Sequence, residues 1–394
     1  MSQSPQMQES RAENISSRSE MNKLSRKKTA TLTRNRDEHY PSRVRMGHLS
    51  LGYARPVSSI LTTIIVRRRS RTNFHFGGTN IMPINIISEI QAGTLPDINT
   101  TQLFLMDVER FLDALPREPL FDLVVTSPPY NIGKEYENQI PLADYVAWQK
   151  RIIEKIYPRL KDNGSICWQV GNYVENGSIT PLDIELAPIF KELNLHLRNR
   201  IIWHFGHGLH NKNRFSGRYE VIMWYTKSDT YTFNLDDVRV PAKYPGKRSY
   251  RGENKGKLSG NPKGKNPEDV WEVPNVKGNH VEKTNHPCQF PVGLIERLVL
   301  SLTNEGDLVF DPFSGVASSG VAALLHKRKF WGCEIMQDYI NQGKDRLEQT
   351  VAGSIRYRPY DKPIYDAKTS ALSKIPDEWK EDRKSTRLNS SHIL

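Results

Sequence analysis

The sequence predicts an α/β fold: a doubly wound, mostly parallel sheet interrupted by an insert. Three observations predict it. Short apolar runs rich in β-branched residues alternate with stretches whose apolar residues recur at helical spacing. Two of those runs stop abruptly in turn-forming residues, Thr126-Ser127-Pro128-Pro129-Tyr130 and Asp311-Pro312-Phe313-Ser314-Gly315. Between them lies a polar, glycine-rich segment unlike its flanks.

Taken in order, folded structure is expected to begin near Gln102. Leu103–Met106 is a short strand ending at Asp107, and Val108, Phe111, Leu112 and Leu115 follow at helical spacing. Phe121–Val125 reads as a buried parallel strand. Its two consecutive prolines lack backbone donors and fix a stiff extended turn at the strand's carboxyl end, the edge where open α/β sheets bind ligands. Residues 143–160 form an amphipathic helix, with Tyr145, Trp148, Ile152, Ile153, Ile156, Tyr157 and Leu160 on one face. Lys161-Asp162-Asn163-Gly164 ends it, and Ser165–Val170 is the next strand. Leu182–Leu193 is helical and bent near Pro188. Ile201–Trp203 and Tyr219–Tyr225 are strands joined by the loop His204–Gly217. A helix over 291–301, a strand Leu308–Phe310, a helix Ser318–His326, a strand Phe330–Cys333 ending at Glu334 and a helix over 338–347 complete the pattern. After about residue 355 the chain is polar and extended.

The formal charge of +12 over 394 residues is unevenly placed. Residues 1–71 hold 15 Lys/Arg against 5 Asp/Glu. Residues 1–75 read as a disordered basic tail or a gene-model extension, with translation starting near Met82 in the second case. Lys243–Lys265 carries 8 basic residues against the single acid Glu253. Tyr231, Phe233, Tyr244, Tyr250 and Trp271 are interleaved with this region, a composition suited to phosphate contacts and groove insertion. Cys167, Cys288 and Cys333 are too scattered for a disulfide framework or a cysteine zinc site, and Cys167 and Cys333 read as core. His204, His207 and His210 recur in a glycine-bearing loop without nearby Cys or Asp, so no metal is expected. Ile60–Val66 is far too short to span a membrane.

The two turns carry the chemistry. A small acceptor, a rigid carbonyl-bearing turn and an aromatic ring make a pocket for a planar base bearing an amino group. Asp311–Gly320 is a strand–turn–helix unit with small residues where backbone passes close to a ligand, and Glu334 stands one strand later, where an acid accepts from a ribose diol. The GxGxxG fingerprint and the GxxxxGK[ST] phosphate loop are absent. An acid at the turn suits a cofactor carrying positive charge.

Together TSPPY at 126–130 and DPFSG at 311–315 resemble the permuted group of S-adenosylmethionine-dependent DNA amino-methyltransferases, in which the catalytic motif precedes the cofactor motif. The resemblance spans roughly 102–347 and implies a Rossmann-like sheet. It assigns catalysis to Ser127, Pro128, Pro129 and Tyr130, and cofactor binding to Asp311, Pro312, Phe313, Ser314, Gly315 and Glu334. Asp107 falls where the family bonds the cofactor's adenine amine, and His286, Gln289 and Phe290 lie where it holds the methionine end. Arg214-Phe215 and Arg218-Tyr219-Glu220 resemble the stretch bordering the target pocket. Ala317 departs from the pattern, which has glycine there; its methyl weakens cofactor binding if the turn needs positive φ.

The resemblance implies a catalytic half over 102–225, a target-recognition insert over 226–280, a cofactor half over 281–350 and a polar extension over 351–381. Residues 382–394 include DRKSTRLNSSH, which resembles a translated sequencing adapter. Serine in the first motif position goes mostly with N4 of cytosine, and N6 of adenine is the alternative. RNA or protein-glutamine methylation, and a DNA-binding module without catalysis, are further alternatives. Carbon-5 methylation is not expected, because the only Pro-Cys pair, Pro287-Cys288, lies on the cofactor side. Double-stranded DNA, a cognate restriction endonuclease and a cytoplasmic setting are the implied partners and place.

Overall fold

The computed structural model describes residues 84–134, 139–208 and 210–366, with 368, 370, 373–377 and 379 beyond them. The expected basic tail with its alternative start, and the adapter-like end, lie outside the described residues.

Nine strands form one sheet: β1 (Asn85–Ile87), β2 (Gln102–Leu105), β3 (Phe121–Thr126), β4 (Leu160–Val170), β7 (His196–His204), β8 (Tyr219–Thr226), β9 (Val270–Glu272), β10 (Leu308–Asp311) and β11 (Lys329–Glu334). Their order is β1-β2-β11-β10-β3-β4-β8-β7-β9, and all pairings are parallel except those of β8 with β4 and β7. A small hairpin, β5 (Asn172–Glu175) and β6 (Ser178–Pro181), stands apart. The helices are α1 (Val108–Ala114), α2 (Leu142–Ile156), α3 (Leu182–Glu192), α4 (Leu235–Val238), α5 (Val292–Leu302), α6 (Ser318–Leu325) and α7 (Gln337–Val351).

Both faces of the sheet are covered, which is why its strands are apolar on both sides. Helices α1, α2 and α3 bury Phe111, Ile152 and Phe190 with Phe121, Ile166 and Phe310 in one layer. Helices α5, α6 and α7 bury Leu298, Val321 and Leu347 with Leu123, Cys167 and Val309 in the other. Phe121 and Val124 share a face despite their odd spacing, because the register between β3 and β4 slips from Phe121 to Leu123. At that slip Asp122 accepts both Lys161 Nζ (2.9 and 2.8 Å) and the buried Leu308 N–H (2.9 Å). One carboxylate thereby joins three strands.

The chain leaves β2, passes over two strand positions to lay down β3 and β4, and later returns to fill the gap with β10 and β11. The connections after β3 and β10 depart in opposite directions, so a crevice opens at their adjacent carboxyl ends.

Several elements differ from the sequence reading. Order begins earlier, because β1 pairs with β2. The polar Lys161–Gly164 lies within the assigned strand β4. Trp271 belongs to the core: β9 pairs with β7, which turns the alternate residue inward, and its indole donates to Glu268 O (2.7 Å). Phe233 stacks on Trp224 (5.5 Å, 22°) and Tyr231 meets it edge-on, so these aromatics also pack. The basic stretch between them hangs from a narrow neck, the paired Val240 and Lys265 (3.0 and 2.8 Å), and exposes Tyr244 and Tyr250.

Asp122→Ala strands the Leu308 donor inside the sheet and is expected to cost about 1–3 kcal/mol in urea unfolding.

Candidate active site

The crevice holds a cavity of about 610 Å³, within the range of small-molecule sites. Ser127, Pro128, Pro129 and Tyr130 line it from β3, and Asp311, Pro312, Phe313, Ser314 and Gly315 from β10. Asp107, His286, Gln289, Phe290 and Glu334 complete the wall, so every residue expected to carry catalysis or hold the cofactor reaches this one space, whereas Arg214, Phe215, Arg218, Tyr219 and Glu220, expected to border the target pocket, do not line it.

Asp311 joins the halves. Its Oδ1 accepts from Thr126 Oγ1 (2.6 Å) and Phe313 N (3.1 Å), and its Oδ2 from Ser319 Oγ (2.6 Å). The carboxyl is buried, which pushes its pKa up to about 6. While lining the cavity, it also holds the two loops together through these hydrogen bonds.

On the catalytic side a run of hydrogen bonds has one direction. Ser127 Oγ donates to Tyr130 Oη (3.1 Å), Tyr130 Oη donates to Gln169 Oε1 (2.5 Å), and Gln169 Nε2 donates to Glu220 Oε2 (2.6 Å). With its proton committed, the Ser127 oxygen is left to accept. The Pro129 carbonyl is taken by Tyr145 Oη (2.9 Å), whereas the Pro128 carbonyl carries no hydrogen bond among the described residues. Burial, then the nearby Glu220, raises the Tyr130 pKa well above its usual value and keeps the phenol neutral. Burial likewise raises Glu220 to about 7. The ring of Tyr130 lies against Gly171, where a Cβ would stand 3.1 Å from it. Asn131, at φ 61°, closes the following loop by reciprocal bonds with Ile140 (2.6 and 2.7 Å).

On the other side the turn is built for close approach. Glu334 accepts from Gly315 N (2.9 Å) and Met336 N (2.7 Å), and Ser314 donates to Cys333 O through both N (2.8 Å) and Oγ (3.0 Å). Gly315 has φ 51° and is roofed by His286, whose ring also meets Tyr339 edge-on at 4.6 Å. Asp107 uses Oδ1 to cap α1, accepting from Glu109 N and Arg110 N, with its second oxygen beyond that cap. The Gln289 amide is bonded within its own loop, to Thr284 and Glu282. Two carboxylates, aromatic Phe313 and Trp148 and a backbone cradle form a donor set that fits a cationic nucleoside carrying an amino acid.

Sequence reasoning missed Thr126, Tyr145, Trp148, Gln169 and Ser319. Tyr145 and Trp148 sit on the apolar stripe of a helix and Gln169 inside a strand, so periodicity hides them; only Thr126 and Ser319, beside the motifs, gave a positional signal. Among the described residues, no cluster of His, Cys, Asp and Glu is arranged to hold a metal.

Ala317 adopts φ 57°, so the turn does require the left-handed conformation, and its buried methyl faces Gly343, where a Cβ would come within 3.2 Å. The glycine on α7 makes room for the alanine.

A family model described as DNA methylase (N6_N4_Mtase) matches residues 121–345. The type II methyltransferase M.BglII of Bacillus subtilis is 47% identical over 249 residues, 63% of this chain and 69% of that protein. The DNA adenine methyltransferase YhdJ of Escherichia coli (strain K12) is 33% identical over 242 residues, 60% of this chain and 79% of that one. In fold, the chain is similar to the PvuII DNA methyltransferase (cytosine-N4-specific), with a TM-score of 0.50 at 18% identity, covering 68% of this chain and 93% of that one.

Two outcomes follow from the geometry. Relief of left-handed strain in Ala317→Gly, about 1–2 kcal/mol, is offset by glycine's entropy, about 0.5–1 kcal/mol, and a lost methyl contact. Thermal unfolding should therefore shift little, whereas Gly343→Ala costs about 1–3 kcal/mol in the native background and less beside Gly at 317. Glu220 titrates near 7 in the fold against a usual 4.5, so folding favours its protonated form. The stability of the native chain relative to Glu220→Gln should fall as pH rises from about 4.5 to 7 and then level off.

Proposed function

Since the chain belongs to the DNA methylase family, we propose that it transfers a methyl group from S-adenosylmethionine to the exocyclic N4 of cytosine in double-stranded DNA. The observation that carries this reading is the one-way run from Ser127 to Glu220, which leaves the Ser127 hydroxyl oxygen as an acceptor beside the Pro128 carbonyl, unbonded among the described residues. An exocyclic amine has two N–H groups and a lone pair delocalised into its ring. Two oxygen acceptors hold the N–H groups and turn the lone pair outward, toward the methyl donor. Positive charge developing on the nitrogen is stabilised by the same oxygens. Tyr130, its ring backed by Gly171 and its hydroxyl pinned, offers a fixed surface on which an extruded base stacks, worth about 1–3 kcal/mol. S-adenosylmethionine supplies the methyl group on a sulfonium. For that cofactor Asp107 receives the adenine amine, Glu334 the ribose diol, the Asp311–Gly315 turn the backbone-facing edge, and the loop with His286, Gln289 and Phe290 the methionine end.

Residues 226–280 are the target-recognition insert in this reading, with 102–225 and 281–350 the catalytic and cofactor halves. A cognate restriction endonuclease and a cytoplasmic setting follow from it. Among the described residues, no helix is long and apolar enough to cross a membrane. N6-methylation of adenine is the second reading, favoured by the identity to a relative named as an adenine methyltransferase.

Incubation with tritiated S-adenosylmethionine and mixed-sequence duplex DNA, followed by nucleoside analysis, is expected to place label in N4-methylcytosine. Ser127→Ala should lower transfer about 10²–10³-fold. Label in N6-methyladenine selects the second reading; label on RNA or protein alone overturns both.

A further inference from the structure

We propose that Phe215 is the wedge that enters the duplex where the target base leaves it, a role that rests on the DNA-methylation reading. Its side chain is 100% exposed. A phenyl ring left wholly in water gains by burial, so Phe215 is available to a partner surface. The loop joins β7 to β8, and its exit leads within two residues to Glu220, whose carboxylate lies 3.2 Å from the Tyr130 hydroxyl. Phe215 thus stands five residues ahead of a carboxyl bonded to the phenol that lines the base-accepting end of the cavity.

The loop is braced by hydrogen bonds. Phe205 N bonds Arg218 O (3.1 Å) across its base, and Asn211 N bonds Ser216 Oγ (3.1 Å) near its tip. Arg214, the neighbour of Phe215, donates to Gly177 O (3.0 Å) in the β5–β6 hairpin. Between His204 and Glu220 the sequence holds Lys212, Arg214 and Arg218 and no acid, which matches a phosphate-lined partner. Extrusion of a base leaves an apolar gap in the stack, and an inserted aromatic ring offsets part of the lost stacking. A duplex with one base missing from its stack rewards both the ring and its basic surroundings.

The test uses duplex oligonucleotides carrying the recognised site, located by sequencing DNA methylated by the native enzyme. In one duplex the target base is paired; in the other it faces an abasic position, so extrusion costs little. Phe215→Ala should lower methylation of the paired duplex about 10- to 100-fold and leave the abasic-opposed duplex within about twofold of native. Phe215→Trp should restore the paired substrate, and S-adenosylmethionine affinity should be unchanged in both variants. Equal losses on the two duplexes, or no loss on the paired one, overturn the wedge while leaving the methylation reading intact. Absence of methylation of any duplex by the native enzyme overturns the reading and the wedge with it.

Discussion

The contact between Thr126 and Asp311 (2.6 Å) is the constraint on which the site depends. It joins residues 185 positions apart, both buried, at the ends of adjacent strands. Thr126 immediately precedes Ser127, and Asp311 immediately precedes the Pro312–Gly315 turn, so the bond fixes the spacing between the two halves of the cavity. The third partner, Ser319, extends the constraint into α6. Burial that raises the Asp311 carboxyl makes each of these hydrogen bonds stronger than its counterpart in water. A reaction that needs its two reactants aligned gains most from such a tie, because a displacement of about 1 Å costs large factors in rate.

The polarity of the catalytic side follows from similar reasoning. A serine hydroxyl is ambivalent in isolation and donates or accepts as its neighbours dictate. Here the neighbours form an ordered sequence, ending in a carboxyl that accepts from Gln169. Each link sets the direction of the one before, and Ser127 becomes an acceptor without any change of charge. Gly171 and Tyr145 serve the same end by different means, one leaving room for the Tyr130 ring and the other occupying the Pro129 carbonyl.

What the sequence disclosed and what it hid follow from the reach of local patterns. Strands such as Leu308–Asp311 and helices such as Val292–Leu302 declare themselves through periodicity, and both motifs stand out because proline and glycine leave few conformations open. Ala317 illustrates the intermediate case: the departure from glycine was visible, but its accommodation by Gly343 is a tertiary fact. Trp271 escapes local pattern because aromatic residues spaced through a basic stretch look alike whether they meet bases or a core, and three residues of β9 are too short to show alternation. Gln169 and Glu220 could not be linked from sequence, since antiparallel pairing of β4 with β8 alone brings them together.

Permuted motif order carries a structural consequence of its own. The crevice is defined by which strands are neighbours, β3 and β10, and not by which is made first. Opening the chain at a different point therefore leaves the chemistry in place and changes only what connects the halves. In this protein that connection is pinned to the domain at several points: Asn234 N donates to Ser301 O (2.7 Å), Val238 is buried, and Trp271 is seated beneath the Arg297 guanidinium. The basic residues of 243–265 are thereby confined to an excursion closed at its neck by Val240 and Lys265. A loop held at its base and free at its tip concentrates positive charge in one place, and affinity for a polyanion depends on that local density far more than on the net charge of the chain.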